Sequence, residues 1–207
     1  QRVDRRLASL GAFSAIDRIA PTPAPDDALA RVHTPAYLDA VRRAGAGERG
    51  AWLRDFGLGP GDTPAFDGIY DASALYAGGT IDAARLVAGG GYATAFNVAA
   101  GLHHAFPDHA SGFCTFNDLA LGIRALLDAG CARVAYVDID AHHGDGVEAC
   151  FRDEPRVLTV SLHESGRWLF PGTGFASDRG GPGAPGSAVN VPFAPHTGDR
   201  VWRDAFE

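Results

Sequence analysis

The sequence predicts an α/β protein in which helices pack on a parallel sheet. Two apolar runs rich in β-branched residues, 133–139 and 157–162, read as buried strands. The connection between them is too long for a hairpin and suits a crossover, with a short helix near 147–151. Helical segments precede this unit, and neither an internal repeat nor a linker divides the chain.

Taken in order, residues 1–19 carry Val3, Leu7, Leu10, Phe13 and Ile16 at spacings of three or four, the mark of an amphipathic helix. The Pro-rich stretch 21–25 ends it. Thr34 followed by Pro35 predicts a capped helix running to about Arg43. Glycines and prolines make 45–64 a long loop. Residues 68–88 form an alanine-rich helix, and Gly78 and Gly79 in its middle imply a close packing contact. A short strand is expected at 93–98. Asn117 or Asp118 then caps a helix that ends at Gly130, ahead of the two buried strands. A loop over 163–186 leads to a last strand at 188–191.

Of the 207 residues, 46% are hydrophobic and 21% charged, an ordinary globular balance that excludes disordered and coiled-coil readings. The absence of a long apolar run or a basic-then-apolar leader predicts a cytoplasmic protein that does not associate with membranes. A formal charge of −7 argues against nucleic acid as a partner. Cys114, Cys131 and Cys150 are odd in number and far apart, so free thiols are expected rather than disulfides. Methionine is absent and the chain begins at Gln1, which points to a processed piece or a fragment.

Eight histidines should give about 0.3 adjacent pairs by chance, yet there are two, His103-His104 and His142-His143. The second pair sits in the run YVDIDAHHGDG at 136–146, at the carboxyl end of a predicted parallel strand, where ligand sites of open α/β sheets lie. If the strand stays extended, Asp138, Asp140 and His142 project to one side. Carboxylate oxygen and imidazole nitrogen together then suit a divalent metal. The same pattern also allows an acidic, solvated strand end. The first pair lies in a loop before a helix, where imidazoles backed by carboxylates suit acid–base work and where a plain surface feature is the alternative. His33 reads as structural, and His109 and His196 have no identifiable partner. The absence of GxSxG disfavours a serine hydrolase.

Together YVDIDAHHGDGVEACF, GLHHAFPDHASGFCTFND, GDTPAFDGIYDASALYAGGT, HTPAYLDAV and VSLHESGRWLFPGTG resemble the zinc-dependent histone deacetylase superfamily, and most of all its bacterial acetoin utilisation branch. The resemblance implies the arginase-deacetylase fold and hydrolysis of an acetyl amide on a lysine-like side chain. It assigns Asp140 and His142 to zinc, with ferrous iron as an alternative metal. His103 and His104 become the tandem catalytic histidines, His104 serving as general base and acid. Asp138 is expected to pair with His103 and Asp145 with His104. Asp62 matches a rim residue that holds the substrate backbone, while Gly112, Phe113 and Phe170 match the channel for the aliphatic stem. Asp138, Asp140, His142, Ser161 and Leu162 correspond to an inner potassium site.

The implied substrates are acetylated lysine of a protein, with acetyl-CoA synthetase as a candidate, or an acetylpolyamine. A manganese ureohydrolase and a non-catalytic binding fragment are the competing readings. The family's third zinc ligand and its oxyanion tyrosine are expected beyond Glu207, so residues 1–207 read as a partial domain trimmed at both ends.

Overall fold

The computed structural model describes residues 2–11 and 16–207. Its helices are α1 (Arg2–Ser9), α2 (Asp26–Leu29), α3 (Pro35–Gly45), α4 (Ile69–Ala88), α5 (Asp118–Asp128), α6 (Asp145–Phe151) and α7 (Asp199–Phe206). The strands are β1 (Val134–Asp138), β2 (Val157–Glu164) and β3 (Ala188–Phe193), all parallel in the order β1-β2-β3. Among the described residues no helix is long and apolar enough to cross a membrane.

Local signals explain most boundaries. Thr34 Oγ1 accepts the Tyr37 N–H at 3.3 Å to open α3, and Asn117 Oδ1 accepts the Ala120 N–H at 2.9 Å to open α5. Gly78 and Gly79 do mark a close approach. A Cβ on Gly78 would lie 1.8 Å from the Thr22 carbonyl oxygen, and one on Gly79 would lie 2.8 Å from Asn97 Nδ2.

Two apolar clusters hold the helices in place. Leu29, Tyr37, Val41, Ile69, Ala77, Phe116 and Leu121 join α2, α3, α4 and the start of α5, and the buried Tyr37 hydroxyl donates to the Thr115 carbonyl at 2.6 Å. Ala120, Ile123, Leu127, Val147, Phe151 and Val157 join α5 and α6 to one face of the sheet. Register places Val134 beside Val157 and Asp138 beside Ser161 on that covered face. The opposite face leaves Val137 51%, Ile139 61%, Leu158 38% and Val189 44% exposed.

Three expectations need correction, and one element was missed. Residues 93–98 are not a strand: Phe96 and Val98 are exposed, and a strand exists only by pairing with a neighbour. That segment is tied instead to α4 through Asn97 Nδ2, which donates to the Tyr76 carbonyl and to Thr80 Oγ1, each at 3.0 Å. The first helix stops at Ser9, because Gly11 has the left-handed φ of 69° that ends a helix; Phe13 lies outside the described residues. The loop 45–64 contains a short 3-10 helix, Ala51–Phe56, and α7 was not anticipated at all.

Candidate active site at the carboxyl end of the sheet

The backbone carrying His103 and His104 is fixed by the residues that open α5. The buried Asp118 carboxylate accepts the Leu102 N–H at 2.8 Å, the Gly101 N–H at 3.2 Å and the Thr80 hydroxyl at 2.7 Å. Beside it, Asn117 Nδ2 donates to the Ala105 carbonyl at 2.8 Å. A helix cap therefore doubles as the anchor of a loop. On the opposite side of this loop, a Cβ on Gly146 would lie 2.4 Å from the Ala105 carbonyl oxygen and 2.6 Å from that of His103. Only glycine lets the first turn of α6 approach so closely.

That approach brings the Asp145 carboxylate to one histidine, and the end of β1 brings that of Asp138 to the other. Nδ1 of His103 lies 2.6 Å from Asp138 Oδ2, and Nδ1 of His104 lies 2.7 Å from Asp145 Oδ1. All four side chains are buried, and the imidazole rings are 4.0 Å apart. Burial opposes charge on His103, but the Asp138 hydrogen bond and the negative charges of Asp138, Asp140 and Asp145 outweigh it and raise its pKa. For Asp138, burial pushes the other way, and the contact with His103 with further donors holds its pKa low.

The strand does not stay extended through His142. It ends at Asp138, after which the Asp140 N–H bonds back to Asp138 Oδ1 at 3.0 Å and the His142 N–H to Asp140 Oδ1 at 2.8 Å. These turns split the predicted row: Asp138 points inward to His103, while Asp140 and His142 form a partly exposed pair with Nδ1 and Oδ1 2.9 Å apart. His142 is nonetheless beside the buried histidines, its ring 5.8 Å from that of His104.

Phe170 closes the cluster, 4.9 Å from the His104 ring and 6.2 Å from that of His142. A Cβ on Gly112 would lie 2.5 Å from His104 Cδ2 and 3.0 Å from the Phe170 ring, so glycine is needed there. Phe113 is 74% exposed, with a left-handed φ of 67°, and its N–H donates to Thr63 Oγ1 at 3.2 Å. Asp62, next to Thr63, is exposed at this rim. Ser161 is buried beside Asp138, its hydroxyl 2.9 Å from His163 Nδ1, and Leu162 is buried on the other face of the sheet.

A histone deacetylase domain pattern matches residues 1–207. The chain belongs to the histone deacetylase family. It is 43% identical over 201 residues to the acetoin utilization protein AcuC of Bacillus subtilis, a match covering 97% of this chain and 52% of that protein. Histone deacetylase RPD3 of Saccharomyces cerevisiae is 38% identical over 204 residues, covering 97% of this chain and 46% of RPD3. The crystal structure of a histone deacetylase homologue from Aquifex aeolicus superimposes with a TM-score of 0.86 at 32% identity, covering 94% of this chain and 54% of that one. The chain thus spans about half the length of these relatives, and its parallel sheet with flanking helices is part of the arginase-deacetylase fold.

The donor chemistry of Asp140 and His142 suits a family metal. Two zinc ligands at tetrahedral angles lie about 3.3 Å apart, so the 2.9 Å contact needs to open by only a few tenths of an ångström to admit an ion. Among the described residues no third His, Cys, Asp or Glu completes the group. The pair therefore fits as part of a ligand set.

Sequence reasoning overlooked several supports of this deacetylase-family site. Tyr136, whose hydroxyl bonds Asp138, lies two positions before it on one strand, and the period of two could have revealed it. His143 is buried between Thr173 Oγ1 at 2.9 Å and Glu148 Oε2 at 3.1 Å, contacts with no local signature. His33 is structural: Nδ1 donates to the Phe106 carbonyl at 3.1 Å, Nε2 accepts the Asn117 N–H at 3.0 Å, and burial lowers its pKa to about 4. His109 has a partner after all, lying 2.7 Å from Asp108 and stacked on Phe106.

Proposed function

We propose that this chain carries the acid–base machinery and two metal ligands of a zinc-dependent deacetylase that hydrolyses the acetyl amide of a modified protein lysine. The observation that supports it most is the tandem of buried histidines, each on its own carboxylate, beside Asp140 and His142. Asp140 and His142 would hold the ion, which when bound supplies Lewis acidity to the hydrolysis.

The residues of the chain do the rest. Asp145 accepts from Nδ1 of His104 and so presents Nε2 to the reaction, where His104 takes a proton and later returns it to the leaving amine. His103, anchored by Asp138, supplies a second imidazole at the same place. Gly112, Phe113 and Phe170 admit a thin methylene stem and exclude bulk, and Asp62 accepts from the substrate backbone at the rim. Carbonyls of Asp138, Asp140, His142 and Leu162 with the Ser161 hydroxyl would hold potassium beneath them.

The test is hydrolysis of an acetyl-lysine peptide, acetylspermidine and arginine by the zinc-loaded full-length parent protein. Release of acetate from the peptide above the other two is expected. Preference for acetylspermidine would move the substrate to the polyamines, and turnover of arginine alone would overturn the reading.

A further inference from the structure

The geometry points to Tyr136 as a positioning residue that holds the Asp138 carboxylate in the orientation His103 requires. This rests on the deacetylase reading above for its kinetic consequence, but not for its structural content.

Asp138 is surrounded by donors. Oδ2 accepts from both His103 Nδ1 and the Tyr136 hydroxyl, and Oδ1 accepts the Asp140 N–H at 3.0 Å. A carboxylate with donors on both oxygens has lost its freedom to rotate about the Cβ–Cγ bond. Tyr136 has a foothold of its own outside the site. Its ring packs with the cluster of Ile123, Val147 and Val157 that joins α5 and α6 to the sheet. Burial, followed by the charge of Asp138, raises the phenol pKa well above 10, so the hydroxyl remains a donor throughout the working pH range.

A second feature makes room for the pair. A Cβ on Gly144 would lie 2.3 Å from Asp138 Oδ2 and 2.9 Å from the Tyr136 hydroxyl oxygen. The glycine that starts the turn into α6 thus leaves space for the shared oxygen. Among the described residues no phenol serves the neighbouring pair, whose Asp145 Oδ1 accepts from His104 and the Gly146 N–H. Tyr136 therefore acts on one dyad and not on the other.

The experiment is proton NMR of protein labelled with nitrogen-15 in its histidine rings. The downfield Nδ1–H signals of the two dyads are assigned with His103→Gln and His104→Gln. Tyr136→Phe keeps the ring in the core and removes only the donor; it should shift or broaden the His103 signal and leave the His104 signal in place. Gly144→Ala, with the tyrosine intact, should disturb the same signal. In the zinc-loaded protein, Tyr136→Phe should lower kcat about tenfold at unchanged KM and zinc content. An unmoved His103 signal in folded Tyr136→Phe and Gly144→Ala proteins would overturn the assignment, as would equal disturbance of both dyads. A full-length parent protein without deacetylase activity would sink the proposed function while the NMR result still decides the role of Tyr136.

Discussion

Three histidine–aspartate contacts of similar length, 2.6, 2.7 and 2.9 Å, sit in two different surroundings. His103–Asp138 and His104–Asp145 are enclosed, with side chains at most 9% exposed, whereas His142 and Asp140 are 40% and 53% exposed. In the enclosed pairs each imidazole is locked in one orientation and one tautomer, which proton transfer requires. An exposed pair in water contributes at most about 1 kcal/mol and exchanges its partner readily. The same two residue types therefore serve two tasks: enclosure makes a fixed acid–base group, and openness leaves a ligand pair ready to take an ion.

The largest expected effect separates those tasks. His104→Ala should lower kcat by about 10²- to 10⁴-fold with zinc still bound, whereas His142→Ala should lose the metal. Equal zinc content in both proteins would break the division. A smaller loss should follow from crowding the enclosed side. Gly112→Ala drives a methyl group into the His104 ring at a φ of 50°, and a strain of about 1–3 kcal/mol should lower kcat by about ten- to a hundredfold without releasing zinc. Unchanged kinetics would show that His104 can move without cost.

The smallest effect tests burial without a carboxylate. His33 is buried like His103 but bonds only backbone groups, and its pKa falls to about 4 where that of His103 rises. A base whose pKa is depressed by folding keeps its full contribution above its unfolded value near 6.5, and stability declines as pH falls from there to about 4. The decline should reach about 3 kcal/mol, seen as a falling urea midpoint. His33→Gln should flatten the profile between those two pH values. An identical slope in the variant would place the titration elsewhere.

What could be read from the sequence follows from how local each signal is. The strands β1 and β2 are legible because β-branched runs and a crossover-length connection are properties of contiguous residues, and α5 because Asn117 caps it from within the same segment. The strand expected at 93–98 failed on a non-local requirement, a neighbour to pair with. In the site, residue types and order identified the participants, but not the turn after Asp138 that sends Asp138 inward and leaves Asp140 and His142 outside. Glu148 was illegible for a related reason: a carboxylate aimed at a histidine cannot be told from a solvated one until the chain is folded around it.

The two enclosed contacts also bear on how the protein reaches its native state. They join residues 35 and 41 positions apart, across α5 and β1 in one case and reaching α6 in the other. Such distant contacts carry a loop-closure cost and form only when the intervening elements have docked. A folding intermediate with α5 in place but β1 and α6 still mobile has both histidines and neither carboxylate. Recovery of the two downfield imidazole signals during refolding therefore reports completion of the α5–β1–α6 topology, and recovery of helical circular dichroism should run ahead of it.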